Sequence, residues 1–308
     1  MKALIGMSGG VDSSVAVHLT MQAGFDCIGG TMLLHDSTPE AALDAAAVAE
    51  RMGIPFRVFD LSSLFREKVM DAFVSCYEQG MTPNPCVVCN RYLKFGAFLD
   101  IAREMGCDYV VTGHYARIEE RDGRFLLKKA GFVPRDQSYM LYRLSQKQLS
   151  MLHLPLEKMS KDEVRAVAAK AGLACASAPD SQEICFIPDN DYAGYIERHF
   201  GAMEKGRFIA PDGKDCGEHQ GLLHYTIGQR KGLGIALGKP AYVLKLNPAK
   251  NTVMLGDAHQ LLTRHMLVEQ LSPVDADRFF AEEQLSVRIR YRSRAIPCSV
   301  VRDTGDGR

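Results

Sequence analysis

The feature that most constrains this chain is the loop Ser8-Gly9-Gly10-Val11-Asp12-Ser13-Ser14, which follows one apolar run and opens a helix-like one. Glycines let the backbone approach a phosphate closely, and the start of the next helix offers unpaired N–H groups and partial positive charge. The serine hydroxyls add donors, and Asp12 is placed to hold a magnesium ion on the phosphates. A Ser/Gly turn that only caps a helix is the plainer alternative. Around the loop, strands are predicted at 3–7, 26–34, 56–61 and 108–114, with helices at 13–23, 39–52, 62–79 and 92–105. Alternation of this kind predicts an α/β fold, a doubly wound parallel sheet covered on both faces. In such sheets ligands sit at the carboxyl edge where strand order reverses, which points Met32 and Gly113 at the same crevice.

Past residue 116 the pattern changes. Residues 117–129 alternate about Arg121-Asp122-Gly123-Arg124, a hairpin signal. Ser160-Lys161-Asp162-Glu163 is a capping box whose helix Gly172 closes. A short helix is expected at 192–200. From Lys205 onward, glycine-rich strand-like runs at 241–246 and 252–255 mark a β-rich module. The expected domains are 1–203, 204–262 and 263–308.

The 37 basic and 37 acidic side chains leave no net charge, so any polyanion must be met by a local patch. Val287-Arg288-Ile289-Arg290-Tyr291-Arg292-Ser293-Arg294 predicts one. In a strand its arginines share a face, suited to a phosphate backbone, although a charge-defended edge strand gives the same pattern. Gln229-Arg230-Lys231 adds a second basic loop. No apolar run reaches the roughly 18 residues of a membrane span. The opening Met1-Lys2-Ala3-Leu4-Ile5-Gly6-Met7 reads as a strand, not a signal peptide, and a cytoplasmic protein is expected.

Nine cysteines, an odd number, occupy positions 27, 76, 86, 89, 107, 175, 185, 216 and 298. In a reducing compartment most are small buried hydrophobes, the reading given to Cys27 and Cys107. Two stretches differ. Asn84-Pro85-Cys86-Val87-Val88-Cys89-Asn90 reads as a loop between helices, where a reactive thiol is exposed. Asp180-Ser181-Gln182-Glu183-Ile184-Cys185-Phe186 sets another cysteine in an irregular segment.

The loop at residues 8–13 is similar to the pyrophosphate loop of the ATP pyrophosphatase superfamily, which cleaves ATP between its α and β phosphates to adenylate a substrate. Longer strings narrow the resemblance: Thr82-Pro83-Asn84-Pro85 with Cys89-Asn90, Lys94-Phe95-Gly96, Thr112-Gly113-His114-Tyr115-Ala116-Arg117, Asp136-Gln137-Ser138-Tyr139, and Tyr225-Thr226-Ile227-Gly228-Gln229-Arg230-Lys231-Gly232-Leu233-Gly234. These, with Asp180-Ser181 and Ile184-Cys185-Phe186, resemble the tRNA 2-thiouridylase family from residue 6 to about 297.

The resemblance implies an adenine-nucleotide α-hydrolase-like sheet, followed by β-rich domains of which the last is an incomplete β-barrel. It implies ATP with Mg2+, contacted by Gly6, Met7, Ser8, Gly9, Gly10, Val11, Asp12, Ser13, Met32 and Gly113. Cys89 would be the nucleophile and Cys185 the persulfide carrier. Asn84, Pro85 and Cys86 would border the target base; His114, Arg135, Asp136, Gln137, Arg290 and Tyr291 would touch tRNA. The implied reaction is ATP-dependent 2-thiolation of the wobble uridine, with a sulfur-relay protein or cysteine desulfurase recharging Cys185.

Many members of that family carry Asp where Cys86 stands, and the carboxylate is their proposed acid/base. Three readings of Cys86 stay open: a thiol acid/base, a resting disulfide with Cys89, or a 4Fe–4S cluster held by Cys86, Cys89 and Cys185. A structural zinc is disfavoured because a second Cys-x-x-Cys is absent. An amidotransferase-type synthetase, needing neither cysteine, and a tRNA-binding protein of reduced activity are the rival functions. Asp303-Thr304-Gly305-Asp306-Gly307-Arg308 reads as a hairpin turn without its return strand.

Overall fold

The fold comes from a computed structural model. It describes the chain except residues 36–37, 178–183, 188, 190, 202, 236–237, 239, 282–283, 292 and 303–308; for 38, 39 and 200 it describes backbone alone. Its centre is β1 (Lys2–Gly6), in which Ala3, Leu4 and Ile5 are fully buried. A run apolar at every position needs cover on both faces, as a strand inside a parallel sheet has.

Four further strands complete the sheet: β2 (Asp26–Leu33), β3 (Phe56–Asp60), β4 (Tyr109–Val111) and, after the hairpin β5 (Ala116–Arg121) and β6 (Arg124–Lys129), β7 (Leu152–His153). All pairings are parallel, in the order β3-β2-β1-β4-β7. Side chains alternate as strand geometry requires. Ala3 and Ile5 join the core beneath α1 (Val11–Gln22), α2 (Thr38–Met52) and the Lys161–Lys170 helix, whereas Leu4 joins Phe95, Phe98 and Leu99 on the other face. Strand order reverses between β1 and β4, which leaves a crevice at their carboxyl ends.

The hairpin forms at Asp122 and Gly123, whose positive φ values of 50° and 70° match the twist of the flanking strands. The Ser160 capping box and the short helix Tyr192–Phe200 are also present. A four-stranded sheet, order β10-β11-β8-β9, is built from β8 (Gly206–Ile209), β9 (Asp215–His219), β10 (Tyr242–Asn247) and β11 (Thr252–Gly256). It has its own core around Phe208, Tyr225, Val243 and Val253. Beyond it, β12 (Leu285–Val287) and β13 (Ile296–Cys298) pair antiparallel.

Two expectations are corrected. Residues 85–89 are not a loop. Asn84 caps a helix there by accepting from Val87 N at 3.3 Å, and Pro85 takes its first position, where a missing N–H costs nothing. The helix runs on through a π-helical stretch, Asn90–Ala97, into Phe98–Glu104. Nor do Arg288, Arg290 and Arg294 share a strand face. The strand stops at Val287, and the backbone then turns on Ser293, whose hydroxyl accepts from Arg290 N at 3.1 Å and donates to Arg290 O at 2.8 Å. Arg292, Asp180-Ser181-Gln182-Glu183 and the terminal turn at 303–308 lie outside the described residues.

Candidate active site

The crevice between β1 and β4 is lined by the glycine loop. Gly6 ends β1, and Met7 continues the sheet by donating its N–H to Gly30 O (2.9 Å) and accepting from Thr31 Oγ1 (2.8 Å). Gly9 sits at φ 73°, and a Cβ there would lie 2.7 Å from Asp44 Cβ, so the turn requires glycine. Gly10 caps α1, and its carbonyl accepts from the hydroxyls of Ser13 (3.0 Å) and Ser14 (2.9 Å). Ser8 N donates to Ser13 Oγ at 3.2 Å, while Val11 is buried beneath the helix start. Across the crevice, a Cβ on Gly113 would meet Asp12 C at 2.7 Å and Asp12 O at 2.9 Å. Gly113 therefore lets the end of β4 touch the loop. Met32 is partly buried between two hydrophobic clusters near the end of β2.

Asp12 is not free for a metal. Lys161 Nζ donates to both of its carboxylate oxygens at 2.8 Å, and Tyr115 Oη donates to Oδ1 at 2.7 Å. The residues present do not fit the expected Asp12–Mg2+ contact, because an ion there would have to displace the lysine. Lys161 and Tyr115 went unnoticed as partners in the sequence because residue 161 lies 149 positions from Asp12. The capping box flagged the lysine's helix without revealing its target.

The thiols gather on the other side of His114. Cys86 is exposed in the first turn of its helix, and Cys89, one turn on, is 7% exposed. Cys89 packs in one hydrophobic cluster with Ile184, Phe186 and Ile187, so the core itself brings the Cys185 segment to the cysteine helix. Cys185 is exposed at the surface. The Cys89 thiol is pushed up to about 12 by burial, with Lys94 opposing that rise and Cys185 and Cys86 adding to it. The Cys185 thiol is also raised, first by desolvation, again against Lys94 and with Cys86 adding. Lys94 is thus the cation common to both thiols.

The helix type explains its placement. Residues five apart on an α-helix sit about 140° from each other. A π-helical turn, closed by i→i+5 hydrogen bonds, stacks them instead, and such turns recur at functional sites. The stretch Asn90–Ala97 follows directly on Cys89 and sets Lys94 on its side. The Lys94-Phe95-Gly96 string marked this segment, but the π geometry that gives it meaning has no sequence signature.

His114 stands between the two halves. Its Nδ1 lies 2.8 Å from Thr112 Oγ1, and its ring packs tilted on Phe95 at 5.6 Å. Burial, with Lys94 beside it, pushes the imidazole down to about 3, so it is neutral at physiological pH. A string of polar contacts joins the halves. Tyr115 N donates to Gln137 Oε1 (3.0 Å), and Gln137 N donates to Tyr115 O (2.7 Å). Next along, Met140 O accepts from Asn90 Nδ2 (3.0 Å).

Asp136 is buried and accepts from Ala130 N, Ser138 N and Ser138 Oγ. These bonds hold the Asp136 carboxylate inside the turn, while Gln137 is half-buried beside Tyr115. Arg135 is partly buried in the preceding turn. Arg290 Nη2 donates to Ile227 O at 2.8 Å, and the Tyr291 ring lies 6.0 Å from that of Tyr139. Tyr291 therefore lies beside Tyr139, and Arg290 is tied to the Ile227 carbonyl. Among the described residues no group of three or more His, Cys, Asp or Glu side chains is arranged to hold a metal ion. No described helix is long and apolar enough to cross a membrane.

Covered parallel sheet, glycine loop and reversal crevice together define an adenine-nucleotide-binding protein of the α-hydrolase-like class. Residues 1–189 match the family described as tRNA methyl transferase HUP domain, and 193–257 match the tRNA methyl transferase PRC-barrel domain. The tRNA-specific 2-thiouridylase MnmA of Clostridioides difficile (strain 630) is 45% identical over 98% of this chain and 87% of its own length. That of Lachnoclostridium phytofermentans is 44% identical, over 97% and 88%. Among solved structures, the U34-tRNA thiolase NcsA from Methanococcus maripaludis, with its 4Fe–4S cluster, is similar at 19% identity and a TM-score of 0.40. That likeness covers 64% of this chain and 67% of the other. The chain belongs to the tRNA-specific 2-thiouridylase family.

Proposed function

We propose that this protein is a tRNA-uridine 2-sulfurtransferase that thiolates the wobble uridine at the expense of ATP. The observation that carries the reading is the pairing of Cys89 with the Cys185 segment in one packed cluster under a shared cation, Lys94. Methyl transfer, which the family's description names, has no use for paired thiols or for a pyrophosphate loop. An amidotransferase-type synthetase has no use for the thiols either.

ATP, with the magnesium it carries, takes the crevice. Gly9, Gly10 and the start of α1 receive the phosphates, and Met32 and Gly113 form the opposite wall. The uracil O2 attacks the α-phosphate; the O2–P bond forms and pyrophosphate leaves. This converts a poor leaving oxygen into AMP. The base has to leave its stack to reach such a site, bordered by Asn84, Pro85 and Cys86. Neutral His114 serves as a hydrogen-bonding group there, and Arg135, Arg290 and Tyr291 meet the RNA.

Cys89, as thiolate, then attacks the inner sulfur of the Cys185 persulfide. A Cys89–Cys185 disulfide forms, hydrosulfide leaves, and the hydrosulfide displaces AMP from carbon 2. Lys94 favours each anionic sulfur in turn. A sulfur-relay protein or cysteine desulfurase reloads Cys185, in the cytoplasm.

Incubation with ATP, a persulfide donor and unmodified tRNA, followed by digestion to nucleosides, tests the reading. 2-Thiouridine is expected from the wild type and none from Cys185→Ser; no 2-thiouridine from either refutes it.

A further inference from the structure

The proposed reaction leaves a disulfide between Cys89 and Cys185, which holds Cys185, the thiol that has to be reloaded with sulfur. Cys89 is 7% exposed, whereas Cys185 is exposed at the surface. Cys86 is exposed, and it lies three residues before Cys89 in the first turn of the same helix. Side chains at i and i+3 of a helix are neighbours. The arrangement, an exposed cysteine at a helix start and a buried one a turn later, is one that cysteine pairs use for disulfide exchange. Cys86 also acts electrostatically on both partner thiols, Cys89 and Cys185, so all three belong to one site.

We propose that Cys86 is a resolving thiol built into the site, which moves the disulfide from the Cys89–Cys185 pair to a Cys86–Cys89 pair after each turnover and so frees Cys185 to accept the next sulfur. The inference rests on the sulfur-transfer reading above.

The step balances without an added oxidant. Cys86 gives its proton to solvent, and its thiolate attacks Cys89 Sγ. The Cys86–Cys89 bond forms while the Cys89–Cys185 bond breaks. Cys185 leaves as a thiolate, takes a proton from solvent and is ready for a new sulfur. A small dithiol or dithiol protein then reduces the Cys86–Cys89 disulfide and is itself oxidised to its disulfide. Attack falls on Cys89 rather than Cys185 because helix spacing fixes the first pair as neighbours. Exchange rates depend on which sulfur is within reach.

The experiment has two arms, both on the full chain. In the first, without ATP or tRNA, reduced protein is oxidised with one equivalent of diamide, blocked with iodoacetamide and mapped by mass spectrometry under non-reducing conditions. Wild type is expected to carry Cys86–Cys89 with Cys185 alkylated, and Cys86→Ser to carry Cys89–Cys185. In the second arm, thiolation is followed with limiting dithiol reductant. Cys86→Ser is expected to stop after roughly one 2-thiouridine per enzyme, as an unresolved disulfide dictates, and to resume when dithiothreitol is raised. Cys86→Asp should stall in the same way.

A wild-type map showing Cys89–Cys185 with Cys86 alkylated, or a Cys86→Ser enzyme that turns over like wild type at limiting reductant, overturns the proposal. Absence of 2-thiouridine from every variant, wild type included, instead refutes the sulfur-transfer reading, and the first arm still decides the exchange.

Discussion

The nucleotide crevice and the thiol site are neighbours built on opposite plans. The crevice comes from contiguous sequence: one strand, one loop and one helix start, sealed by Gly113 and pinned by Lys161 on Asp12. Every piece but the last two is visible in eight successive residues, Gly6 to Ser13. The thiol site is assembled from a helix and a segment nearly a hundred residues apart, joined by hydrophobic packing, with its charge supplied by a helical irregularity. Phosphate binding needs backbone N–H groups, which a short motif provides. Thiol chemistry needs two side chains and a cation at one point, which only the tertiary fold provides.

The largest effect that can test this contrast is at Cys89. Cys89→Ser should lower thiolation by on the order of a thousandfold or more, as removal of a nucleophile does, while ATP affinity by calorimetry stays unchanged. Loss of ATP binding together with thiolation would show that the two halves are not separable. Next comes Lys94→Gln, expected to lower thiolation by roughly a hundredfold to a thousandfold, the range for loss of one electrostatic stabiliser. Lys94 holds down the rise of both thiols, so its removal should move iodoacetamide alkylation of Cys89 and Cys185 to higher pH. Lys94→Arg should restore the wild-type profile in part. An unshifted alkylation profile in Lys94→Gln would reduce the lysine to a bystander.

On the crevice side the expected change is smaller. Gly113→Ala puts a methyl 2.7 Å from the Asp12 backbone, and the local shift should cost about 1–3 kcal/mol, as overpacking does. It should appear as weaker ATP binding, with the alkylation of Cys86 and Cys185 untouched. Unchanged ATP affinity would mean that β4 does not wall the nucleotide.

These regions also differ in how far they could be read from sequence. The parallel sheet and the loop were legible because strand, turn and helix signals are local, and Ala3-Leu4-Ile5 cannot be stable half-exposed. Cys86 and Cys89 were legible as reactive residues, but their helix was not: Pro85 reads as a breaker unless Asn84 is seen to cap ahead of it. The arginines at 288–294 fit a strand by alternation, and nothing local announces the turn that Ser293 makes with Arg290. Lys161 and Lys94 were hidden for different reasons. One reaches its carboxylate across 149 residues, and the other depends on a π-turn that no residue pattern specifies.

The smallest effect concerns His114, where the two halves meet, and it appears in stability rather than rate. Burial lowers its folded pKa to about 3 from an ordinary 6.5. Above pH 6.5 both folded and unfolded states hold it neutral, and its contribution is complete. As pH falls below 6.5 the unfolded chain takes up a proton that the folded site refuses, so stability is lost progressively toward pH 3. The loss is at most about 1.4 kcal/mol per pH unit for one such group. His153 and His219 are lowered by burial as well, so the wild-type slope has several contributors. His114→Gln keeps a neutral polar side chain and isolates one of them. Urea midpoints measured from pH 8 to 5 should fall less steeply in this variant than in wild type. Identical slopes would mean that His114 is hydrated in the folded state and takes protons freely. The boundary between crevice and thiols would then be wet, and hydrosulfide released there would compete with water for the activated base.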